Sequence, residues 1–206
     1  MPSATPTPTF VDLRQVSDGW IKKYVLTYRL PDGSSYEYES ASRKSPDAYR
    51  RELEGNAAGR KPSADAVCIV GQTPDDELLL IREFRYPLNS WCIAFPAGLM
   101  EDGEDLATCV DRELREETGY ALRADLEAAA LDALPQPGFS STGLTDETVH
   151  VVFAQVEKAA DAQPEPSEFI EPFLLPINDV PRFLAENATP IGTRAQLVLE
   201  AFARRH

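Results

Sequence analysis

The segment of residues 98–120, with the sequence GLMEDGEDLATCVDRELREETGY, constrains this chain more than any other part. It predicts a helix over about residues 104–118 that ends at the following glycine. On that helix Glu113, Glu116 and Glu117 stand at positions i, i+3 and i+4, so their carboxylates project from one face. Three like charges at this spacing destabilise an isolated helix. Something in the folded protein must therefore offset their repulsion.

The remaining residues of this helix favour a site at its edge. Ala107, Val110 and Leu114 fall about 100° around the helix from the carboxylates, so the helix can bury one side and present the acids beside it. Arg112 lies one turn before Glu116 and can pair with it. Oxygen ligands clustered in this way suit Mg²⁺ or Mn²⁺.

The wider spacing decides between a binding site and a solvated surface. A generic E-x-x-E-E run is usually a solvated helix face. Here the acids, glycines and arginine occupy every fixed position of the pattern G-x5-E-x7-R-E-U-x-E-E-x-G-U, in which U is apolar. The matching residues are Gly98, Glu104, Arg112, Glu113, Glu116, Glu117 and Gly119, with Leu114 and a less typical Tyr120 at the U positions. This pattern is the Nudix box, and the chain resembles the Nudix hydrolase superfamily.

The resemblance implies both a fold and a set of roles. The fold would be α/β (α+β), a Nudix-type α/β/α sandwich with a mixed sheet, plus an N-terminal antiparallel β-hairpin subdomain. Arg112 and Glu104 would support the loop and helix, with Arg112 counted among the catalytic residues. Glu116 would be a metal ligand or a proton acceptor. The implied metal ligands are the backbone carbonyl of Ala97 and the side chains of Glu113, Glu116 and Glu117.

The run LLLIREFRYPLNSWCIAFPAGLMEDGE resembles the ADP-ribose pyrophosphatase branch of that superfamily. In this branch Arg85 would lie near the phosphates and Leu99 against the substrate, although a solvated turn arginine is an equal alternative for Arg85. Many members carry an acid where this chain has Ala94. That departure removes a carboxylate expected near the ribose or the metal, and it leaves the substrate open.

Two later segments also resemble this branch. Residues 135–139 fall near the place of a proline-containing loop beside the nucleoside. The sequence SEFIEPFLLPINDV resembles a late loop that supplies a catalytic glutamate, and Glu168 is the matching position. Glu165 and Glu171 remain alternatives for that role, and an exposed acid without a catalytic role is the other possibility.

The N-terminal part predicts a hairpin over residues 20–42 that turns at residues 31–33. It resembles the part of the branch that exchanges between subunits to form a homodimer. On that resemblance Trp20 and Tyr38 would stack on adenine from opposite subunits and Arg43 would contact the nucleotide. A packing role for the two aromatic side chains is equally consistent with the pattern.

The rest of the chain gives an expected division into segments. Residues 1–9 would be a disordered tail, 10–57 an N-terminal β subdomain used for dimerisation, and 58–206 the Nudix hydrolase domain. Residues 44–64 would form a connecting loop with about one helical turn. Strands are predicted at residues 66–70, 77–82, 91–95, 126–134, 148–156 and 170–175. Two C-terminal helices are predicted at residues 178–186 and 193–205, capped by Asn178 and Thr193.

Composition excludes several classes of function. The net charge of -14 disfavours nucleic acid as a partner, since phosphate backbones are held chiefly by Lys and Arg. The same charge would repel a small anionic substrate unless divalent cations bridge carboxylate to phosphate. No apolar stretch is long enough for a membrane helix. Cys68, Cys92 and Cys109 lack metal or redox spacing, which indicates a reducing, cytoplasmic setting.

The resemblance therefore implies a Mg²⁺-dependent hydrolase that splits ADP-ribose, or a related nucleoside diphosphate sugar, into a nucleoside monophosphate and a sugar phosphate. One alternative keeps this chemistry with another nucleoside diphosphate derivative, including a damaged nucleotide. The other is a Nudix module that senses a nucleotide without turning it over.

Overall fold

The computed structural model describes residues 5–123 and 131–204. The chain divides into two compact units. The first consists of residues 1–64 together with 136–149, and the second of residues 65–135 together with 150–206. Among the described helices, none is both long enough and apolar enough to cross a membrane.

The first unit contains a three-stranded antiparallel sheet in the order β1-β2-β3. Its strands are β1 (Thr9–Gln15), β2 (Lys22–Arg29) and β3 (Ser35–Ser42). Strands β2 and β3 form the predicted hairpin, and Gly33 supplies the positive φ of 85° that its turn requires. Strand β1 begins at Thr9, the last residue of the segment expected to be a tail.

Helix α1 (Pro46–Ala57) corrects the expectation of a connecting loop over residues 44–64. The Oγ of Ser45 caps the helix by accepting a hydrogen bond from the backbone N–H of Ala48, and Pro46 follows at the first position, where a proline favours helix initiation. Tyr49 and Leu53, one turn apart, pack into the apolar cluster of the sheet. The charged residues and glycines of this segment hid that short apolar stripe.

The second unit is built on a mixed sheet, as predicted. Its strands run in the order β11-β4-β5-β12, while β6 pairs with β5, β7 with β4, and β8 and β9 with β11. Strand β10 and the first two residues of β11 belong to the first unit, where they pair with each other. The strands are β4 (Ala66–Gln72), β5 (Glu77–Arg85), β6 (Ser90–Ala94), β7 (Ala97–Leu99), β8 (Tyr120–Leu122), β9 (Asp132–Ala133), β10 (Gly138–Phe139), β11 (Thr148–Lys158) and β12 (Ile170–Pro176).

Helices cover both faces of this sheet, as the sandwich prediction requires. The helices of this unit are α2 (Leu106–Thr118), α3 (Val180–Glu186) and α4 (Thr193–Ala203). Val67 and Ile69 of β4 are fully buried in the cluster that includes the apolar side of α2. Cys68, which points to the opposite face because side chains alternate along a strand, interacts with Arg194 of α4.

Most predicted strands coincide with observed ones, and the differences lie at element ends. Residues 126–130 of one predicted strand fall outside the described residues, and β9 is the described part of that segment. Both cap predictions are wrong by one residue. Asn178 lies in a short 3-10 turn and Asp179 occupies the cap position of α3. The extended Gly192 precedes α4, so Thr193 is its first helical residue.

Candidate active site

Helix α2, on which the predicted site depends, is fixed at both ends by its own sequence. Asp105 accepts hydrogen bonds from the backbone N–H groups of Ala107 and Thr108, at 3.0 and 3.1 Å. Gly119 ends the helix with a φ of 70°. A side chain there would also place its Cβ 2.3 Å from the carbonyl oxygen of Ala160. The helix therefore begins two residues later than predicted and ends where predicted.

Packing of α2 draws two of its three glutamates inward. Val110 and Leu114 are fully buried, which confirms two of the three residues of the predicted apolar side, whereas Ala107 is half-buried. Glu113 and Glu117, on the neighbouring side, are only 8% and 5% exposed. The side chain of Glu116 is half exposed. The site thus has two carboxylates in the protein interior and a third at the solvent boundary.

Arg112 connects these glutamates to the loop before the helix. Its Nε and Nη2 donate to the two carboxylate oxygens of Glu104, both at 2.9 Å. Its Nη1 donates to Glu113 at 2.8 Å and to Glu116 at 3.2 Å, so the predicted pairing with Glu116 is present. Nη2 also donates to the carbonyl oxygen of Leu99 at 3.0 Å. One guanidinium therefore holds the loop against the helix and fixes two carboxylates.

The pKa of Glu104, which supports the loop, shifts in the opposite direction from the pKa values of the buried Glu113 and Glu117. The hydrogen bonds from Arg112 lower the pKa of Glu104 to about 2. Burial raises the pKa of Glu113, with Arg112 opposing that shift. Burial and the neighbouring Glu113 carboxylate raise the pKa of Glu117 well above its ordinary value. Glu113 and Glu117 thus carry a desolvation cost that a nearby cation would offset.

The strand before the loop is shaped around these carboxylates. A Cβ added to Gly98 would lie 1.9 Å from the carboxyl carbon of Glu113, so any side chain there would displace that carboxylate. The backbone N–H of Ala97 donates to Glu117 at 3.1 Å. The side chain of Leu99, the next residue of β7, is partly exposed. The structure therefore places two predicted site residues, Ala97 and Leu99, on β7 beside α2, with Gly98 of the box between them.

The residues present fit a hard divalent cation by donor chemistry, because buried carboxylates and a backbone carbonyl are all oxygen donors. In the described part of the chain, no group of three or more His, Cys, Asp or Glu side chains is already arranged to hold a metal ion. Arg112 engages Glu113 and Glu116 in this arrangement. Arg112 occupies one oxygen of each of these carboxylates, so a metal ion would use the other oxygen of each.

Glu168 lies in a segment that is tied to the site from two directions. The N–H of Gln163 donates to the carbonyl oxygen of Glu116 at 2.9 Å. The hydroxyl of Tyr86 donates to the carbonyl oxygen of Ser167 at 3.0 Å. The carboxylate of Glu168 is close enough to raise the pKa values of Glu113 and Glu117. Its side chain also accepts a hydrogen bond from the N–H of Glu165 at 2.9 Å.

The alternative Glu171 has a different environment, since it pairs with Arg82 at 2.6 Å. Among the three loop glutamates, Glu168 is the one whose charge acts on the buried carboxylates of α2.

One acid near the site was missed by the sequence reasoning. Glu83, on β5, has a largely buried side chain whose Oε2 lies 2.7 Å from Nη2 of Arg85. Its carboxylate contributes to the raised pKa of Glu117. The available signal was a charged residue inside the apolar run LLLIREF, at a position that alternation places on the same side as Ile81.

The predicted nucleotide-contacting residues of the first unit have varied surroundings. Trp20 is 74% exposed. The hydroxyl of Tyr38 donates to the carbonyl oxygen of Gly143 at 2.6 Å. Arg43 pairs with Glu147 at 2.6 Å. Tyr38 and Phe139 also line a cavity of about 430 Å³ within this unit, together with Tyr28, Tyr36 and Leu144.

Comparison with known proteins gives consistent matches. The chain is 32% identical over 173 residues to an ADP-ribose pyrophosphatase of Saccharomyces cerevisiae, covering 82% of this chain and 70% of that protein. It is 30% identical over 197 residues to an ADP-sugar pyrophosphatase of Mus musculus, covering 90% and 79%. A crystal structure of an ADP compounds hydrolase superimposes with a TM-score of 0.73 at 21% identity, covering 98% and 96% of the two chains.

The family comparison covers the predicted metal site and the loop of Glu168. Residues 62–194 match the model of the NUDIX domain, and this range contains β7, α2 and the loop that carries Glu168. The matched range exceeds half of the chain. With the Arg112-centred arrangement of glutamates and the relatives of Saccharomyces cerevisiae and Mus musculus, this match shows that the chain belongs to the NUDIX domain family.

Proposed function

We propose that this protein is a Mg²⁺-dependent hydrolase that cuts the pyrophosphate bond of ADP-ribose or a related nucleoside diphosphate sugar. The observation that carries the proposal is the pair of buried carboxylates, Glu113 and Glu117, beside a strand in which Gly98 leaves room for them. Buried acids in such a position are costly unless a cation binds. The names of the relatives, ADP-ribose pyrophosphatase and ADP-sugar pyrophosphatase, support this substrate class.

In this proposal the ligands of the metal are Glu113, Glu116, Glu117 and the backbone carbonyl of Ala97. Mg²⁺, or Mn²⁺ in its place, would neutralise charge on the diphosphate and make a bound water a stronger nucleophile. Arg112 keeps Glu113 and Glu116 at the edge of α2 through its hydrogen bonds to both. Its grip on Glu104 fixes the preceding loop, so the ligand carboxylates stay at one place.

Proton transfer is assigned to the acids at the solvent boundary. Glu116 and Glu168 are more exposed than Glu113 and Glu117, so either can accept a proton from the attacking water and release it to solvent. Glu168 is the better-supported base, since Arg112 does not engage it and its charge reaches the buried carboxylates. Arg85 would bind the phosphates, and Leu99 would contact the substrate beside the metal ligands.

The first unit would recognise the nucleoside. Trp20 exposes a wide aromatic face, and Tyr38 belongs to an aromatic cavity, both suited to a planar base. Arg43 would contact the nucleotide while Glu147 holds its guanidinium. We also propose that this unit forms a homodimer and that the base is held between Trp20 and Tyr38 of different subunits. The exposed apolar side chains Val11, Val16 and Ile21 support an interface there.

Two smaller parts of the proposal follow from charge and cysteine chemistry. The net charge of -14 supports a small-molecule substrate and no nucleic acid partner. Cys68, Cys92 and Cys109 are free and buried, which is consistent with a reducing, cytoplasmic setting.

The substrate is tested with a panel of nucleotides. Purified protein with Mg²⁺ is incubated with ADP-ribose, other nucleoside diphosphate sugars and oxidised nucleoside triphosphates, and the monophosphate released is measured. We expect ADP-ribose or a related sugar to have the highest kcat/KM. A preference for a different nucleoside diphosphate derivative would keep the chemistry and change the substrate. Binding of ADP-ribose without release of AMP would favour the sensing module instead.

A further inference from the structure

Strand β5 presents an acid and an arginine on the same face at its end. Glu83 lies opposite Cys92 of β6 and Arg85 lies opposite Ser90, so the two side chains are two positions apart on one side of the strand. The other side of β5 is occupied differently. There Arg82 lies over the ring of Trp91, at 4.4 Å from its centroid, and pairs with Glu171.

The face that carries Glu83 and Arg85 is the one that packs against α2, because Leu79, on that face by alternation, belongs to the apolar cluster of Val110 and Leu114. In addition to burial, the charge of Glu83 raises the pKa of Glu117, and the charge of Glu168 raises the pKa of Glu83. Arg85 lowers and Glu83 raises the pKa of Cys92, which lies opposite Glu83 on β6. The shared face and the contact between the two side chains bring Glu83 and Arg85 to the side of the sheet that carries the proposed site.

Glu83 has an unusual environment for a carboxylate. Its side chain is 13% exposed, whereas that of Arg85 is 45% exposed. Oε2 of Glu83 lies 2.7 Å from Nη2 of Arg85, yet it is a buried oxygen that accepts no hydrogen bond of acceptable geometry from the described residues. The two groups are therefore held by charge attraction, without an aligned hydrogen bond.

This arrangement leaves the donors of Arg85 available. A guanidinium has five N–H groups in a planar fork that suits bidentate binding of phosphate oxygens. Glu83 contacts only Nη2 of Arg85, so it keeps the cation at the site and leaves the N–H groups on the other nitrogens for a ligand. Without this ion pair, a half-exposed arginine would populate many rotamers. Binding of the ligand would then cost more side-chain entropy.

We propose that Glu83 is a positioning residue that holds the guanidinium of Arg85 at the site so that it can bind the diphosphate of the substrate. The inference rests on the proposed function, because it assumes a diphosphate ligand at the carboxylate edge of α2. Glu83 acts only through Arg85 and does not touch the substrate.

The test compares Glu83→Gln, Arg85→Gln and the double variant. Binding of a nonhydrolysable ADP-ribose analogue is measured by calorimetry with Mg²⁺, and kcat and KM are measured with ADP-ribose and Mg²⁺. We expect Glu83→Gln to weaken binding and raise KM about two- to fivefold with a smaller change in kcat, the range of an ion pair with a half-exposed partner. The double variant should bind no more weakly than Arg85→Gln alone, because Glu83 has nothing left to position.

Thermal unfolding and a control variant separate positioning from a structural role. Glu83→Gln removes a buried charge and keeps the side-chain volume, so the melting temperature should stay the same or rise. The matched control is Asp179→Asn, which removes an acid paired with Arg182 on α3 and should leave Kd and KM unchanged.

The outcomes distinguish the inference from the proposed function. Wild-type protein that neither binds nor hydrolyses ADP-ribose would overturn the proposed function together with this inference. Wild-type protein that does both, with Glu83→Gln equally harmful in the presence and absence of Arg85, would overturn the inference alone. Unchanged or tighter binding by Glu83→Gln would overturn it as well.

Discussion

Arg112 is the residue on which the geometry of the site depends most. Its guanidinium donates to three carboxylates and to the carbonyl oxygen of Leu99. Lysine could not reproduce this pattern, because its ammonium lacks the planar fork that spans both oxygens of Glu104. The pairing raises the pKa of Arg112 and lowers that of Glu104, so both groups remain charged across the physiological range.

Glu104→Gln should destabilise the protein in a pH-dependent way. The pKa of Glu104 in the folded protein is about 2, below its ordinary value of 4.5, because Arg112 donates hydrogen bonds to it. A lowered folded-state pKa gives stability that is complete above the unfolded pKa and is lost as pH falls through the folded pKa. We expect a loss of about 1–2 kcal/mol at pH 7, measured by chemical denaturation.

The difference between wild type and Glu104→Gln should shrink as pH falls from about 4.5 to about 2. The exposed neighbour Glu101 provides the control, since Glu101→Gln should have little effect at any pH. A difference that stays constant down to pH 2 would contradict the assigned role of the Glu104 charge.

Gly98→Ala should impair turnover through Glu113. The added Cβ would lie 1.9 Å from the carboxyl carbon of Glu113, so that carboxylate must move. A displacement of this size costs about a hundredfold in kcat, measured by steady-state kinetics with ADP-ribose and Mg²⁺. Gly192→Ala is the control, because its Cβ would meet no atom closer than 3.6 Å and the enzyme should stay active. Wild-type kcat for Gly98→Ala would show that Glu113 need not stay where it lies.

At the scale of single residues, the sequence predicted some side-chain contacts and gave no indication of others. The spacing of the box predicted that Arg112 pairs with Glu116, and this is confirmed. The position of Glu83 could not be predicted, because an apolar run with one acid does not reveal which side of the strand meets α2. That side depends on how β5 pairs with its neighbours, which is a long-range property of the sheet.

The loop between β11 and β12 is the element whose position matters most for the proposed reaction, because it carries the proposed base. It carries Glu168 and is tied to the carbonyl oxygen of Glu116 through the N–H of Gln163. Its other end is tied to β5, where the N–H of Phe84 donates to the carbonyl oxygen of Phe169 at 3.0 Å and Tyr86 donates to Ser167. These bonds restrict the loop without burying it.

Tyr86→Phe should loosen this loop. The substitution removes only the hydroxyl that donates to the carbonyl oxygen of Ser167 at 3.0 Å. We expect kcat to fall about two- to fivefold, the effect of one partly exposed hydrogen bond, with little change in KM. Measured in a Glu168→Gln background, the same substitution should have no further effect. An equal loss of kcat in both backgrounds would mean that Tyr86 does not act through Glu168.

Helices and strands with a long apolar pattern were predicted, whereas a helix with a short apolar pattern was missed. Helix α2 and strands β4, β5, β11 and β12 each carry a clear apolar pattern and were predicted. Helix α1 was missed, because its apolar stripe consists of few residues among many charges. The cap positions of α3 and α4 were each one residue off, since neighbouring polar residues compete for a cap and backbone conformation decides.

At the scale of the whole molecule, the net charge of -14 and the exposed apolar residues of the first unit have opposite effects on association between copies of the chain. Repulsion between like-charged copies of the chain opposes association, whereas an exposed apolar surface favours it. Ile21 and Trp20 are 55% and 74% exposed, adjacent in sequence and beside β2. We therefore expect the proposed homodimer to form through this surface.

Ile21→Asp should convert a dimer into a monomer. Sedimentation velocity of wild type should give a mass near twice that of the 22.8 kDa chain, and the variant a mass near that of one chain. A buried charge at the interface is the physical reason. KM should rise in the monomer if each base is held by both subunits. Wild-type protein that sediments as a monomer at micromolar concentration would remove the basis for this assignment.

The central claim is that the buried glutamates of α2 support metal-dependent hydrolysis, and Glu117→Gln tests it most directly. The rate of AMP release from ADP-ribose is measured as Mg²⁺ is titrated, for wild type and variant. We predict wild-type turnover that depends on Mg²⁺ and a variant that is at least about a hundredfold slower, with an unchanged fold, since glutamine can still accept the N–H of Ala97. A variant that retains the wild-type rate, or wild-type turnover that persists in EDTA, would contradict the claim.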